Sequence, residues 1–225
     1  MRLPISEHLW ERHEQHVLHV FQLALLRLKK EKHLPKDEPT LNEQLYVHAR
    51  HVYCCLPNDQ KPMSFVKRNS EIPPRRIEEV GERWTKKKPD FQWELINTQE
   101  TNPEKIIKEY VIECKRLAEK TSSGWDFIKE YVVSGIIRFV SKEHRYGIGA
   151  ESGAMIGYVQ NLVPLEVLKH INLTIRKSKE YKISEITFNK IKGLAGIGRG
   201  DHILKRKEVI PSTFHLRHIW VELMN

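Results

Sequence analysis

Asp90, Glu113 and Lys115 have the types and spacing that phosphate chemistry needs. Asp90 follows Pro89, and Glu113 and Lys115 flank Cys114. Two carboxylates brought together make a hard oxygen site for Mg2+, which keeps several waters and also binds substrate phosphate. A lysine beside them can orient or deprotonate an attacking water and offset charge on phosphoryl oxygens. A pair of strands must position these groups. Lys88 to Leu95 and Tyr110 to Leu117 are apolar runs, rich in β-branched or aromatic residues and bounded by turn or charged sequence. Strand side chains alternate faces, so Asp90, Gln92 and Glu94 share one face and Phe91, Trp93 and Leu95 the other. Glu113 and Lys115 share a face, while Ile112 and Cys114 point into the opposite layer. The stretch from Ile96 to Glu109 is too long for a tight hairpin and reads as a loop between neighbouring strands. Pairing of the two strands converges Asp90, Glu113 and Lys115.

Pro-Asp occurs once in the chain. The (D/E)-x-K pattern occurs three times, at Asp59-Gln60-Lys61, Glu113-Cys114-Lys115 and Glu180-Tyr181-Lys182. Only the middle copy ends an apolar run that comes after Pro89-Asp90. In that context the residues resemble the PD-(D/E)xK nuclease superfamily, the restriction-endonuclease-like fold. The resemblance covers Lys88 to Lys115. It implies Asp90, Glu113 and Lys115 as catalytic residues, with Asp90, Glu113 and the main-chain carbonyl of Cys114 holding Mg2+, for which Mn2+ can substitute. It also implies an extra acidic ligand from a preceding helix, for which Glu43 is the first candidate and Glu79 or Glu82 the others. Two ordinary strands with charged outer faces give a similar pattern, as in an antiparallel sheet with one wet face.

The 225 residues suffice for one sizeable domain. Lys plus Arg is 38 against 29 Asp plus Glu, a formal charge of +9. That excess suits a polyanion, because phosphate neutralisation supplies most sequence-independent affinity for nucleic acid. Cys54, Cys55 and Cys114 form no C-x-x-C pair, which fits a reducing compartment. No charged-then-apolar leader pattern opens the chain and no run reaches 18 apolar residues. The expectation is a soluble cytoplasmic protein with no membrane contact.

Ser6 to Lys32 reads as one long helix with a broad apolar face and Lys29, Lys30 and Lys32 at its end. His13, His16 and His19 fall near one face of it without an evident carboxylate or cysteine partner. Thr40-Leu41-Asn42-Glu43 is a capping box opening a second helix to about Cys55, a role that accounts for Glu43 without a metal. Leu56 to Arg76 is loop-like, and Ile77 to Trp84 reads as a short helix. Trp125 to Lys142 reads as one helix; the resemblance would set Tyr131, Gly135 and Arg138 near a substrate channel, while core packing accounts equally for Tyr131 and a surface position for Arg138. Tyr146 to Gly153 is a glycine-rich loop and Ala154 to Val159 a buried strand, with Gln160 at its end. Pro164 to Arg176 reads as a helix with Pro164 near its first turn. Gly193 to Asp201 reads as a surface loop, and Ser212 to Leu223 as a closing strand whose His215, Arg217 and His218 could meet phosphate.

These signals together predict an α/β fold: a central mixed β-sheet flanked by helices, with an added N-terminal helix. Residues 1–35 are expected to form that helix, a contact for a protein partner or a homodimer, and residues 36–225 the nuclease-like domain. The resemblance implies a metal-dependent DNA endonuclease in restriction, anti-phage defence or repair. The competing expectations are a catalytically inactive nucleic-acid-binding module and a structural subunit of a larger complex.

Overall fold

The computed structural model describes residues 5–178, 182–190 and 196–223. Helices α1 (Ile5–Leu28) and α2 (Glu38–Cys55) come first. Then follow β1 (Lys67–Arg68), β2 (Phe91–Ile96), α3 (Pro103–Ile106), β3 (Ile107–Leu117), α4 (Phe127–Val133), β4 (Ser152–Gln160), α5 (Pro164–Lys177), β5 (Thr187–Lys190), β6 (Ile197–Lys205) and β7 (Thr213–Leu223). The seven strands form one mixed sheet in the order β1-β2-β3-β4-β7-β6-β5. The β3–β4 and β4–β7 pairs are parallel and the other pairs antiparallel. The chain is therefore α/β, with a mixed sheet between two helical layers, as the sequence predicts.

Each face of the sheet closes its own core. Phe91, Trp93, Leu95, Ile112 and Cys114 face α1 and α2, where they meet Val17, Phe21, Leu25, Leu41, Leu45 and Val52. Val111, Leu117, Met155, Val159 and Trp220 face α4 and α5, against Tyr131, Val132, Val167 and Ile171. β4 is buried along its whole length, as expected of a parallel strand covered on both faces. Helix α1 packs on the sheet beside α2. Val17, Val20, Phe21, Ala24, Leu25 and Leu28 of α1 are fully buried, and the Trp10 indole donates to Ser152 Oγ at 2.9 Å. The apolar face expected to meet a partner is used within the fold. His13 is buried too, beside the Trp10 ring.

Several sequence expectations are corrected. The second helix starts at Glu38, capped by Asp37, whose Oδ1 accepts from Thr40 N at 2.9 Å and Thr40 Oγ1 at 2.7 Å. Thr40 is thus inside the first turn and is not the cap. The strand read from Lys88 begins at Phe91, and the linker to β3 holds the short α3. The segment Ile77 to Trp84 forms two 3-10 turns, Ile77–Glu79 and Arg83–Lys86. The helix read as Trp125 to Lys142 ends at Val133 and resumes as a 3-10 turn, Ile136–Phe139. Gly135 makes the break: an added Cβ would sit 2.4 Å from the Tyr131 carbonyl oxygen and 2.5 Å from Met155 Cε, so the chain approaches where only glycine fits. Gly198 and Gly200 lie in strand β6 and not in a surface loop, while Gly193 is outside the described residues.

Burial of α1 makes a measurable claim. Phe21→Ala is expected to lower unfolding stability by about 3–5 kcal/mol, read as a lower urea midpoint. An unchanged midpoint would mean that α1 does not share the core.

Candidate active site

β2 and β3 pair antiparallel with Phe91 opposite Ile112. One further step in that register sets Asp90 opposite Glu113, so the two carboxylates share a face where directly opposed Cβ atoms stand about 4.5–5.5 Å apart. Asp90 Oδ2 accepts the Cys114 N–H at 2.7 Å, which fixes the carboxylate against β3. Lys115 lies two residues beyond Glu113 on the same face. Its Nζ is 2.8 Å from each of Glu113 Oε1, the Cys114 carbonyl oxygen and Glu38 Oε1. Arg138, from the 3-10 turn after α4, reaches Glu113 Oε1 at 2.5 Å. The sequence-predicted trio Asp90, Glu113 and Lys115 is thus brought together, and Arg138 and Glu38 join it.

Glu38 is the residue that sequence reasoning misses. It is the first residue of α2, and its Oε2 accepts the Arg116 N–H at 3.1 Å. Its position follows from the packing of Leu41, Leu45, Ala49 and Val52 on the sheet, and from the bond of the Tyr158 hydroxyl to Asn42 Oδ1 at 2.8 Å. The signal was present in Asp37-Glu38-Pro39: an Asp cap followed by proline in the first turn marks a helix start. Glu43, the expected extra ligand, is exposed and its carboxylate is held by Arg68 at 2.9 Å. Glu79 accepts backbone N–H groups of Arg75 and Arg76 at its own turn, and the Glu82 carbonyl oxygen accepts the Thr85 hydroxyl.

Charge is concentrated here in a dry setting. Lys115 is 8 % exposed and Glu113 1 %. Burial, then the neighbouring Asp90, pushes the Glu113 carboxyl up to about 8, against the pull of Lys115 and Arg138. Burial also raises Asp90, opposed by Lys115 and by the Cys114 N–H. Burial alone would lower Lys115, but Glu113, Glu38 and Asp90 outweigh it and raise the ammonium above its ordinary value. At neutral pH Lys115 is therefore a proton-bearing cation and not a base. Two polar atoms on this face have no hydrogen-bond partner, Glu113 Oε2 and Gln92 Nε2, and both are buried. Buried groups left unpaired are uncommon and concentrate where a site awaits a ligand or water.

Asp90, Glu113 with its unpaired Oε2 and the Cys114 carbonyl oxygen are hard oxygen donors of the kind divalent cations take, and Glu38 shares the Lys115 ammonium with Glu113. Among the described residues no three His, Cys, Asp or Glu side chains are close enough together to form a metal cage, and the Lys115 ammonium lies among the oxygens. Other expected contacts are not part of the cluster. Arg217 is clamped by Glu14 at 3.1 Å and Asp201 at 2.7 Å, and His218 is fully buried. Tyr131 is also buried, its hydroxyl meeting His218 Nδ1 at 2.7 Å and the Trp220 N–H at 2.9 Å. Gln160 reaches the edge of the site by accepting from Arg116 Nε at 2.9 Å.

No protein-family model, curated protein or solved structure matches the chain. Among the described residues no helix is long and apolar enough to cross a membrane.

The raised Glu113 pKa sets a pH dependence. In the unfolded chain a glutamate ionises near its ordinary value of 4.5, whereas the folded state holds the proton up to about 8. Between those values the folded state binds more protons, so stability falls as pH rises through that window. Glu113→Gln keeps the shape and cannot ionise. It is expected to gain stability relative to the wild type between pH 5 and pH 8 in urea titrations. A constant difference across that range would show that Glu113 titrates as an ordinary carboxyl.

Proposed function

We propose that the chain is a metal-dependent nuclease of the PD-(D/E)xK type that hydrolyses phosphodiester bonds, with DNA as substrate. The observation that carries this reading is the placement of Asp90 opposite Glu113, with the Lys115 ammonium held against Glu113 and Glu38 in a buried setting. Burial, then the neighbouring Asp90, pushes the Glu113 carboxyl up to about 8 at a cost in stability, and such arrangements cluster at sites that use them. The +9 charge suits the same substrate.

Asp90, Glu113 and the Cys114 carbonyl would hold the metal, with Glu38 replacing Glu43 as the additional carboxylate. Bound there, Mg2+ or Mn2+ would supply Lewis-acid polarisation of a phosphoryl oxygen and a lowered pKa for a bound water. Lys115 keeps its proton at neutral pH, so its part is to donate hydrogen bonds to a water or a non-bridging phosphoryl oxygen and to offset developing negative charge. Asp90 is held by the Cys114 N–H, and Arg138 holds one oxygen of Glu113 while the other faces the site unpaired. The setting proposed with this activity is restriction or anti-phage defence in the cytoplasm, the enzyme working as a homodimer or beside a partner subunit.

The test is cleavage of supercoiled and linear DNA with Mg2+ or Mn2+. Asp90→Asn, Lys115→Gln and Glu38→Gln are each expected to lose about 100-fold or more in rate, the scale of deleting one charge-stabilising group, with circular dichroism unchanged. Nicking of closed circles would identify endonuclease action. Manganese titration separates the alternatives: uptake abolished by Asp90→Asn is expected here, whereas a binding module or structural subunit would show neither uptake nor cleavage.

A further inference from the structure

A cationic surface leads away from this site. Arg138, which holds Glu113, and Lys87, which follows the Arg83–Lys86 turn, both act on His144; burial, then these two cations, lowers its imidazole to about 4. Past His144 opens a cavity of about 450 Å³ between the Arg83–Lys86 turn and the 141–145 segment. Its cations are Arg83, Lys87, Lys142 and Arg145, against Glu82 and Glu143. Among the described residues Arg83 and Lys87 have no ion-pair partner. Arg145, at a φ of 51°, lays its guanidinium 5.2 Å from the Trp84 ring centre. Trp84 also lines the cavity; it is buried, and its indole N–H has no hydrogen-bond partner. Lys142 and Glu143 line a second cavity too, of about 270 Å³, where Lys182, Lys205 and Lys207 add three more cations and Glu208 one carboxylate. Across both cavities seven cations face three carboxylates, a surplus of four on one strip of a chain whose total is +9.

We propose that this strip is the track for the DNA backbone beside the cut: phosphates flanking the scissile one rest in the cavity of Arg83, Lys87, Lys142 and Arg145, and the strand continues past Lys182, Lys205 and Lys207. The inference rests on the nuclease reading and adds the surface and direction of the substrate. The ligand chemistry follows from the lining. Arg83 and Lys87 without ion-pair partners among the described residues, Lys142 held only by an exposed contact to Glu208 at 3.5 Å, an indole donor and few aromatic faces to stack a base suit phosphate contact without base readout. The stacked Arg145 has a fixed donor fork, and the long lysines adapt to a moving backbone.

The experiment measures binding of a labelled DNA duplex in EDTA as a function of salt, and metal-dependent hydrolysis of the small diester bis(4-nitrophenyl) phosphate, which does not extend to the track. The variant is R83Q/K87Q/K142Q, all outside the catalytic cluster. Its control is R27Q/K30Q/R50Q, which removes the same charge from the α1–α2 layer. The track variant is expected to flatten the slope of log affinity on log salt by about 2–3. It is also expected to weaken binding about tenfold or more and to leave diester hydrolysis unchanged. Equal slopes for wild type and track variant, or an equal fall in the control, would overturn the track while leaving the nuclease reading standing. A wild type that neither binds DNA nor hydrolyses the diester would overturn both.

Discussion

The Lys115 ammonium is the interaction on which the centre of this structure depends. It meets three oxygens in two parts of the chain: Glu113 Oε1 and the Cys114 carbonyl in β3, and Glu38 Oε1 at the start of α2. Removing charges from water costs several kcal/mol per ion, about as much as their attraction returns, unless each remaining lone pair and proton is met. Here the set is incompletely met, because Glu113 Oε2 has no partner, and burial, then Asp90, raises the Glu113 carboxyl while burial, with Glu38, raises Asp90. The cluster is therefore a poor device for stability and a good one for holding an oxygen donor without a partner ready. That is the physical content of calling it a site.

Everything around the cluster limits how it can relax. β3 pairs with β2 up to Ile112 and with β4 along Ile112 to Leu117, which fixes the backbone that carries Glu113 and Lys115. Opposite Lys115 in β4 is Gly157, where a Cβ would lie 2.6 Å from Leu117 Cδ1 and Trp220 Cδ1. Large side chains crowd in there because glycine gives them room. α2 is pinned by its apolar stripe and by Tyr158, and α1 is packed beside it. The long N-terminal helix thus serves the site from a distance, by fixing the helix that carries Glu38.

Charge is partitioned across the molecule. Acidic groups are drawn into the cluster, while among the described residues Arg83 and Lys87 are left without an ion-pair partner on the strip that Lys142 shares. Other cations are neutralised in place. Arg217 is held by Glu14 and Asp201, Arg75 by Glu109, and Lys108 by Glu151. The buried Arg206 caps carbonyls of Tyr146, Gly147 and Pro211. A formal charge of +9 by itself gives no direction; the pairing of some cations and not others does.

The sequence by itself determined the two strands, their alternating faces and hence the common face of Asp90, Glu113 and Lys115, because a period of two is a local property of extended backbone. It also determined the apolar faces of α1 and α5 and the places of β4 and β7, although β4 begins two residues earlier, at Ser152, than the apolar run from Ala154 indicates. Only the tertiary structure decided that Glu38 and not Glu43 meets the cluster. Both carboxylates lie on one helix, and which of them faces the sheet end depends on where Asp37 starts the helix and how Leu41 and Leu45 dock. Only the tertiary structure decided that Arg138 reaches Glu113, since the helix break at Gly135 comes from close approach to Tyr131 and Met155, partners that local sequence does not contain. Register, helix start and cation pairing are set by contacts between distant segments, and these turned three suggestive residues into one buried electrostatic centre.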